Sequence, residues 1–430
     1  MATWCNKPVI VKQSKIVEQK GTNERKRQLS SANYVKGNLF KRSLTPWPPK
    51  QAEQMRLPNR QRFSATAAYV IAGNDDLLME ILRWLPARSL LRFKSVSKHW
   101  LELISSPDIY RLLNPNPTTV SALFLSKPSS SPIPDLLPLD GNPPTAFPNL
   151  LPSISILQSC NGLLCCESLE RNEKNNPDYY ICNPTTRQFT ILPELPGAAI
   201  GVILAFDPCE SLDYQAICVR WISSLPVLYR IEIYSSRTRS WRPATDDSFT
   251  TPGYINFRKG VFWNGAVHWI TESRTVLSFD VNQERVLGEM VMPKIKDWNL
   301  RSIRYFGASR DHLHVVLISG ACAPQFLVYE MKRDYSGWFV KYKVDLRALK
   351  TLFSDMGGSN FDISKLRYRH LTILCLARGE NDDESFLVMR TPHEAVRYSF
   401  KDNTLKKLCD FIAGHDIDMA SQYIETLVRV

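Results

Sequence analysis

Apolar residues between Asn74 and Leu113 fall into three short sets with helical spacing, each closed by a breaker. Leu77, Leu78, Ile81, Leu82 and Leu85 recur at i, i+1, i+4, i+5 and i+8, the stripe of one amphipathic helix. Asn74 or Asp75 can cap it, and aspartates in the first turn suit the helix dipole. Pro86 lacks a backbone N–H and restricts the residue before it, so it ends that helix. A second set follows at Leu90, Leu91, Phe93 and Val96, and a third at Trp100, Leu101, Leu103 and Ile104. Ser105-Ser106-Pro107-Asp108 is the stop. Three helices in so short a stretch carry more apolar surface than they can hide among themselves. A partner surface is expected.

Beyond residue 157 the pattern changes to that of strands. Polar turns between an apolar strand and an aromatic-bearing return strand recur at Asn183, Ser235, Asp280, Glu330 and Lys401, at intervals of 52, 45, 50 and 71 residues. Further strand candidates precede them at 162–166, 214–220, 260–270, 312–318, 371–377 and 386–389. The first three intervals suit the ~40–50 residues of a four-stranded propeller blade. One such sheet cannot cover its own apolar faces, whereas a ring leaves only short, protected edges. The expectation is about six blades of ~46 residues over 157–430. A divergent blade or insertion is expected around Gly357-Gly358-Ser359-Asn360, and a closing strand at 423–428. An open two-sheet sandwich fits the strand count as well. Between the helices and the repeats, 114–156 is proline-rich with one strand-like patch, Val120 to Leu125, and reads as a stiff spacer.

The helical residues resemble the F-box, the docking motif of substrate receptors in Skp–cullin–F-box ubiquitin ligases. The carriers are Glu80-Ile81-Leu82, Leu85-Pro86, Ser89-Leu90-Leu91-Arg92-Phe93, Val96, Lys98, Trp100 and Pro107. Gly73-Asn74 stands where Leu-Pro commonly opens the motif, and Ser97 where a cysteine is frequent; neither departure removes an apolar anchor. The later segment resembles the kelch-like F-box-associated region of plant F-box proteins. It does so through Cys160-Asn161-Gly162-Leu163-Leu164-Cys165, Asn183-Pro184-Thr185-Thr186, Phe206-Asp207, the run from Gly260 to Trp269, and Phe279-Asp280.

Together the resemblances imply an α+β multidomain chain. Its parts would be a small three-helix F-box (71–113) and an all-β, propeller-like repeat domain (157–430), with a basic tail (1–70) and a linker (114–156) read from composition. They imply docking on a Skp-type adaptor, and through it a cullin, by Leu77, Ile81, Leu82, Leu85, Pro86, Leu90, Leu91, Val96 and Trp100. The repeat domain would present loops to an unidentified target protein, making the chain a non-catalytic substrate receptor in ubiquitin-dependent degradation. The alternative is a propeller enzyme, or a carbohydrate or small-ligand binder, with an incidental helical unit.

Charge and composition narrow the partners. Residues 1–70 hold 14 Lys and Arg against 3 Asp and Glu, leaving +1 of the net +12 on the other 360 residues. The basicity belongs to a tail with little apolar periodicity, read as largely disordered. Nucleic acid is therefore not an expected partner of the folded body. Arg25-Lys26-Arg27 with Lys36, Lys41 and Arg42 would make a loose import signal; a plain solubilising arm fits equally, and a transit peptide is also open. The expected location is nucleus and/or cytoplasm. No apolar run approaches the ~20 residues of a membrane span, and the N-terminus lacks a secretory apolar segment.

Ten scattered cysteines read as thiols in a reducing compartment. Cys160, Cys165 and Cys166 are expected as buried core thiols, since neighbours on a strand face opposite ways. His312 and His314 share a strand face, a geometry open to a metal, but without a third ligand they read as surface histidines. The sequence has no phosphate-cradling glycine loop, HExxH or nucleophile elbow, so no catalytic residue, metal or cofactor is expected.

Overall fold

A recurring turn generates the repeat. Asn183 Oδ1 accepts from the backbone N–H groups of Thr185 (2.9 Å) and Thr186 (3.1 Å). Asp280 does the same for Asn282 (2.9 Å) and Gln283 (2.8 Å). Four residues after Asn183, Ser235 and Asp280 the chain takes a left-handed step, at Arg187 (φ 60°), Arg239 (54°) and Glu284 (55°), and enters the outer strand. Short polar side chains that cap their own turn supply what these positions need.

The computed structural model describes residues 70–71, 73–106, 110, 119–126, 134–139, 153–173, 175–195, 197–245, 248–251, 253–295, 302–318, 325–345, 371–391, 393–411 and 419–430. The chain divides into two units, Met1–Arg62 and Phe63–Val430. The first, with the expected import signal, lies outside the described residues. The second opens with three helices, α1 (Asp75–Leu82), α2 (Ala87–Phe93) and α3 (Lys98–Ser105). A six-bladed β-propeller comes next.

Five blades are four-stranded antiparallel meanders. They are β3 (Ile154–Cys160), β4 (Leu163–Arg171), β5 (Pro177–Asn183) and β6 (Gln188–Ile191); β7 (Ala199–Ala205), β8 (Gln215–Ser224), β9 (Val227–Ser235) and β10 (Ser240–Pro243); β11 (Val261–Trp263), β12 (Ala266–Ile270), β13 (Thr275–Asp280) and β14 (Arg285–Val291); β15 (Ile303–Ser309), β16 (His312–Ile318), β17 (Gln325–Met331) and β18 (Trp338–Asp345); and β19 (Thr372–Ala377), β20 (Phe386–Arg390), β21 (Glu394–Ser399) and β22 (Leu405–Asp410). The sixth joins the two ends of the domain: β1 (Val120–Ser126) and β2 (Asp135–Pro138) pair with β23 (Met419–Ile424) in the order β2-β1-β23. The innermost strands β3, β7, β11, β15, β19 and β23 touch in turn around the ring.

Middle strands are buried on both faces, which separates this ring from a sandwich with one wet face per sheet. On β8, Ala216 and Cys218 share a core with Cys165 and Ile181 of the first blade, while Ile217 and Val219 share the next with Val267 and Trp269. On β4, Cys165 faces the second blade and Cys166 the sixth, as strand alternation requires.

Two sequence boundaries are corrected. The stretch 114–156, read as a linker, supplies β1, β2 and the start of β3, so the repeat domain does not begin at 157. β1 pairs with β23 through Leu123↔Gln422 and Phe124↔Ser421. Ala122 and Phe124 pack on the first blade, Leu123 and Leu125 on the fifth. Pro138 is itself the last residue of β2, and a partner some 300 residues away leaves no local trace. The insertion expected around Gly357 lies outside the described residues. The closing strand is Met419–Ile424, and the chain then crosses to the first blade.

That crossing explains two of the motifs. Asn183 is fully buried, and its Nδ2 donates to the carbonyls of Thr426 (3.1 Å) and Val428 (2.6 Å). Thr185 Oγ1 accepts from the Thr426 N–H (3.2 Å). Gly162, at φ 90°, lies so close that a Cβ there would sit 2.7 Å from Thr426 Cγ2. Glycine is required twice over, by conformation and by space. Asp280 needs only an acceptor for its turn, whereas Asn183 must also donate. Asn183→Asp should therefore keep the turn but lose the clamp on the C-terminal segment, costing about 2–4 kcal/mol, while Asp280→Asn stays within about 1 kcal/mol. Urea unfolding of both variants checks this; an unshifted Asn183→Asp midpoint would contradict the clamp.

Within the run Gly260 to Trp269, His268 is fully buried. Its Nε2–H donates to the Trp263 carbonyl (3.1 Å), and Nδ1 accepts from Ser278 Oγ (2.7 Å), the pattern of a neutral imidazole. Burial lowers its pKa to about 4, with the Trp263 hydrogen bond only partly opposing. A depressed pKa means stability is full above the unfolded value near 6.5 and is lost as pH falls toward 4, by about 3 kcal/mol. Denaturant titrations at pH 7 and 4.5 should show a steeper loss for the natural chain than for His268→Gln. Equal slopes would refute the assignment.

Candidate functional site

The three helices are defined by their ends. Asn74 Oδ1 accepts from the Leu77 N–H (3.1 Å) and Ser97 Oγ from the Trp100 N–H (3.2 Å), so α1 and α3 begin with side-chain caps. Phe93 and Trp100 meet edge to face at 5.3 Å and lock α2 to α3. His99 and Asp75 (2.8 Å) tie the starts of α3 and α1.

α1 carries two apolar faces rather than one. Leu78 and Leu82 point inward and are buried, with Leu85 packed beside them. Leu77 and Ile81, a turn apart, point outward and are 44% and 48% exposed. Trp84 continues the outer line at i+7 and is 75% exposed, with the Arg83 guanidinium 4.9 Å over its ring. Val96 and Leu101 are exposed on the neighbouring segments.

The inner face is sealed by the rest of the chain. Leu78, Leu82, Leu90, Ile104 and Tyr110 belong to one continuous core with Leu163, Phe206, Leu427 and Val428 of the propeller. The C-terminal segment clamped by Asn183 also grips the helical region. Arg88 pairs with Glu425 (2.7 Å), and Tyr110 OH meets Thr426 Oγ1 (2.5 Å). Burial, then the nearby Arg429, holds the Lys94 ammonium below its ordinary value.

Of the nine docking residues read from sequence, Leu77, Ile81, Pro86 and Val96 are therefore exposed, and Leu85, Leu91 and Trp100 are half-buried. Leu82 and Leu90 are corrected: both are interior, because the propeller and its C-terminal segment already cover the face they occupy. Trp84 and Leu101 are exposed apolar side chains outside the nine residues read from sequence, although the 77–81–84 spacing carries the signal for Trp84.

The second feature is the axis of the ring, a cavity of about 880 Å³ lined by the inner strands. Blades with four strands return the chain to the end where they began, so all inner strands run the same way. Their C-terminal ends form one mouth, on the side of the helical region: Gly162 meets Thr426 there, and Asp207, Glu210, Asp311, Arg310 and Arg333 line it. Burial, opposed by Arg333 and reinforced by Asp207, raises the Asp311 pKa. The N-terminal ends form the far mouth, where Arg258, Lys259 and Arg304 line the cavity.

The thiol and imidazole clusters are structural. Cys160, Cys165 and Cys166 are buried, and burial pushes the Cys160 thiol up to about 12. His314 is not a surface histidine as read from sequence; it is fully buried because β16 is a middle strand. His314 Nε2 and His312 Nδ1 each donate to Glu330 (3.1 Å), which Arg378 also engages (3.1 Å). Burial alone would raise the Glu330 pKa, but the two histidine hydrogen bonds hold it far below the usual carboxylate range. Among the described residues no group of three His, Cys, Asp or Glu side chains is arranged to hold a metal ion. No described helix is long and apolar enough to cross a membrane.

Comparison with known proteins bears on both features. Residues 74–112 match the F-box domain and residues 118–307 the F-box associated beta propeller domain. F-box protein At5g07610 of Arabidopsis thaliana is 35% identical over 376 residues, covering 81% of this chain and 88% of the relative. F-box protein At5g49610 of the same plant is 28% identical over 299 residues, covering 65% and 80%. The chain belongs to the plant F-box proteins that carry an F-box-associated β-propeller domain.

Proposed function

We propose that this protein is the substrate-recognition subunit of a Skp–cullin–F-box ubiquitin ligase, itself non-catalytic, working in the nucleus and/or cytoplasm. The observation that carries the reading is the outer line Leu77–Ile81–Trp84 with Val96. These are large apolar side chains left in water on a unit whose other face is already sealed. Exposed apolar surface of this kind marks a protein interaction site, and a Skp-type adaptor is the partner the F-box implies. The target protein would bind the propeller. Its ubiquitination then follows from tethering, which raises its effective concentration at a ubiquitin-loaded enzyme held by the cullin.

The test is recovery of adaptor and cullin with the tagged chain. Ile81→Asp and Leu77→Asp place a charge on the outer line without touching the core. Each should weaken adaptor binding by about 2 kcal/mol or more, roughly thirtyfold, with unchanged thermal unfolding. Leu82→Asp, by contrast, should unfold the helical region, since it buries an unpaired carboxylate. Full adaptor recovery with a folded Ile81→Asp, Leu77→Asp double variant would place docking elsewhere.

A further inference from the structure

The far mouth of the channel is built on a rigid pedestal. Residues Phe257–Lys259 form a single 3-10 turn before β11, capped by Asn256 Oδ1, which accepts from the Arg258 N–H (3.2 Å). Phe257 is buried, and its carbonyl accepts from Trp269 Nε1 (3.1 Å). A Cβ on Gly201 would collide with that same carbonyl, so glycine is what lets the turn sit down on β7. The turn therefore fixes the backbone from which Arg258 and Lys259 reach the cavity.

Arg258 is steadied by an ion pair with Glu167, itself nearly buried, yet its own side chain remains 46% exposed. A guanidinium has five donors, and one carboxylate leaves several for a ligand. Lys259 is exposed beside it, and Arg304 enters from the start of β15. Leu157 and Ile303 line the same cavity and add apolar surface. The volume, about 880 Å³, is within the range of ligand-holding clefts. The opposite mouth mixes Asp207, Glu210 and Asp311 with Arg310 and Arg333, so the far mouth, lined by three cations and no carboxylate, is the more basic end of the channel.

We propose that the far mouth of the channel binds an acidic peptide segment of the target protein, its carboxylates meeting Arg258, Lys259 and Arg304 and an aliphatic side chain reaching Leu157 and Ile303. This deepens the receptor reading and rests on it for the identity of the occupant as a target. The far mouth lies on the side away from the helical region, so an occupant there leaves the adaptor-docking face clear. The opposite mouth, where carboxylates and arginines are mixed, offers the same peptide no comparable net attraction.

Fluorescence anisotropy on the full-length chain tests the proposal, using a labelled peptide of Asp, Glu and Leu and its Asn/Gln counterpart. The acidic peptide should bind, weaken with added salt, and lose at least about tenfold in affinity on Lys259→Glu. The amide counterpart should not bind. A second variant, Arg258→Gln with Lys259→Glu, should lose more, with thermal unfolding followed to show that it stays folded. Equal binding by Lys259→Glu and the natural chain would assign the effect to the basic N-terminal tail and overturn the proposal. So would tighter binding of a single-stranded oligonucleotide with the same sensitivity to Lys259→Glu. Ile81→Asp separates the two readings, since it should bind peptide normally. Adaptor recovery without any peptide binding overturns the acidic-peptide site alone and leaves the receptor reading standing.

Discussion

Everything in this chain depends on closing the ring, and the ring is closed by its two ends. A propeller blade has no dry face of its own, so each sheet is stable only between two others. One missing junction would expose two apolar faces and two sheet edges at once. The closure is β1 against β23, residues from near the start of the domain pairing with residues from its end. Bringing such distant segments together costs little more than closing a short loop, because the entropy grows only with the logarithm of length. What the pairing returns is packing on both sides, against the first blade through Phe124 and the fifth through Leu123 and Leu125.

The same few C-terminal residues seat the helical region. Glu425 takes Arg88, Thr426 takes Tyr110, and Leu427 and Val428 join the core under α1. Closure and orientation are thus one structure. A proline-rich linker would have left helices and propeller as separate bodies with a loosely set distance between them. A shared core fixes that distance instead. On the proposed receptor reading, in which a target is held near an enzyme, a fixed distance is the useful property, since tethering helps only where geometry permits simultaneous engagement.

The outer hairpin of each blade is legible in the chain because it carries its own chemistry. Asn183 and Asp280 cap their turns with their own side chains, and the left-handed step four residues on follows from that local arrangement. The inner strands β7 and β15 are not legible. They have no comparable marker, and strands facing the channel mix polar residues such as Gln158 and Ser159 with apolar ones. The repeat length gives about six blades correctly, but it points to the long last interval for the sixth rather than to the pairing of two termini. The pattern likewise reveals that α1 is too apolar, yet gives no means of telling Leu82 from Ile81. That distinction depends on the C-terminal segment lying against one of them.

Net charge hides a second feature in the same way. With the tail set aside the body carries +1, which by itself suggests an electrostatically bland surface. Near-neutrality is only a sum. Inner strands that all run in one direction sort the residues at their two ends into two mouths, one mixing Asp207, Glu210 and Asp311 with Arg310 and Arg333, the other with Arg258, Lys259 and Arg304 and no carboxylate. A channel with low-dielectric walls focuses such a field along its axis. The polarity belongs to the topology as much as to the residues. The residues after an inner strand lie at one mouth and those before it at the other, so a charge moved by a few positions along the chain can change ends without changing the total.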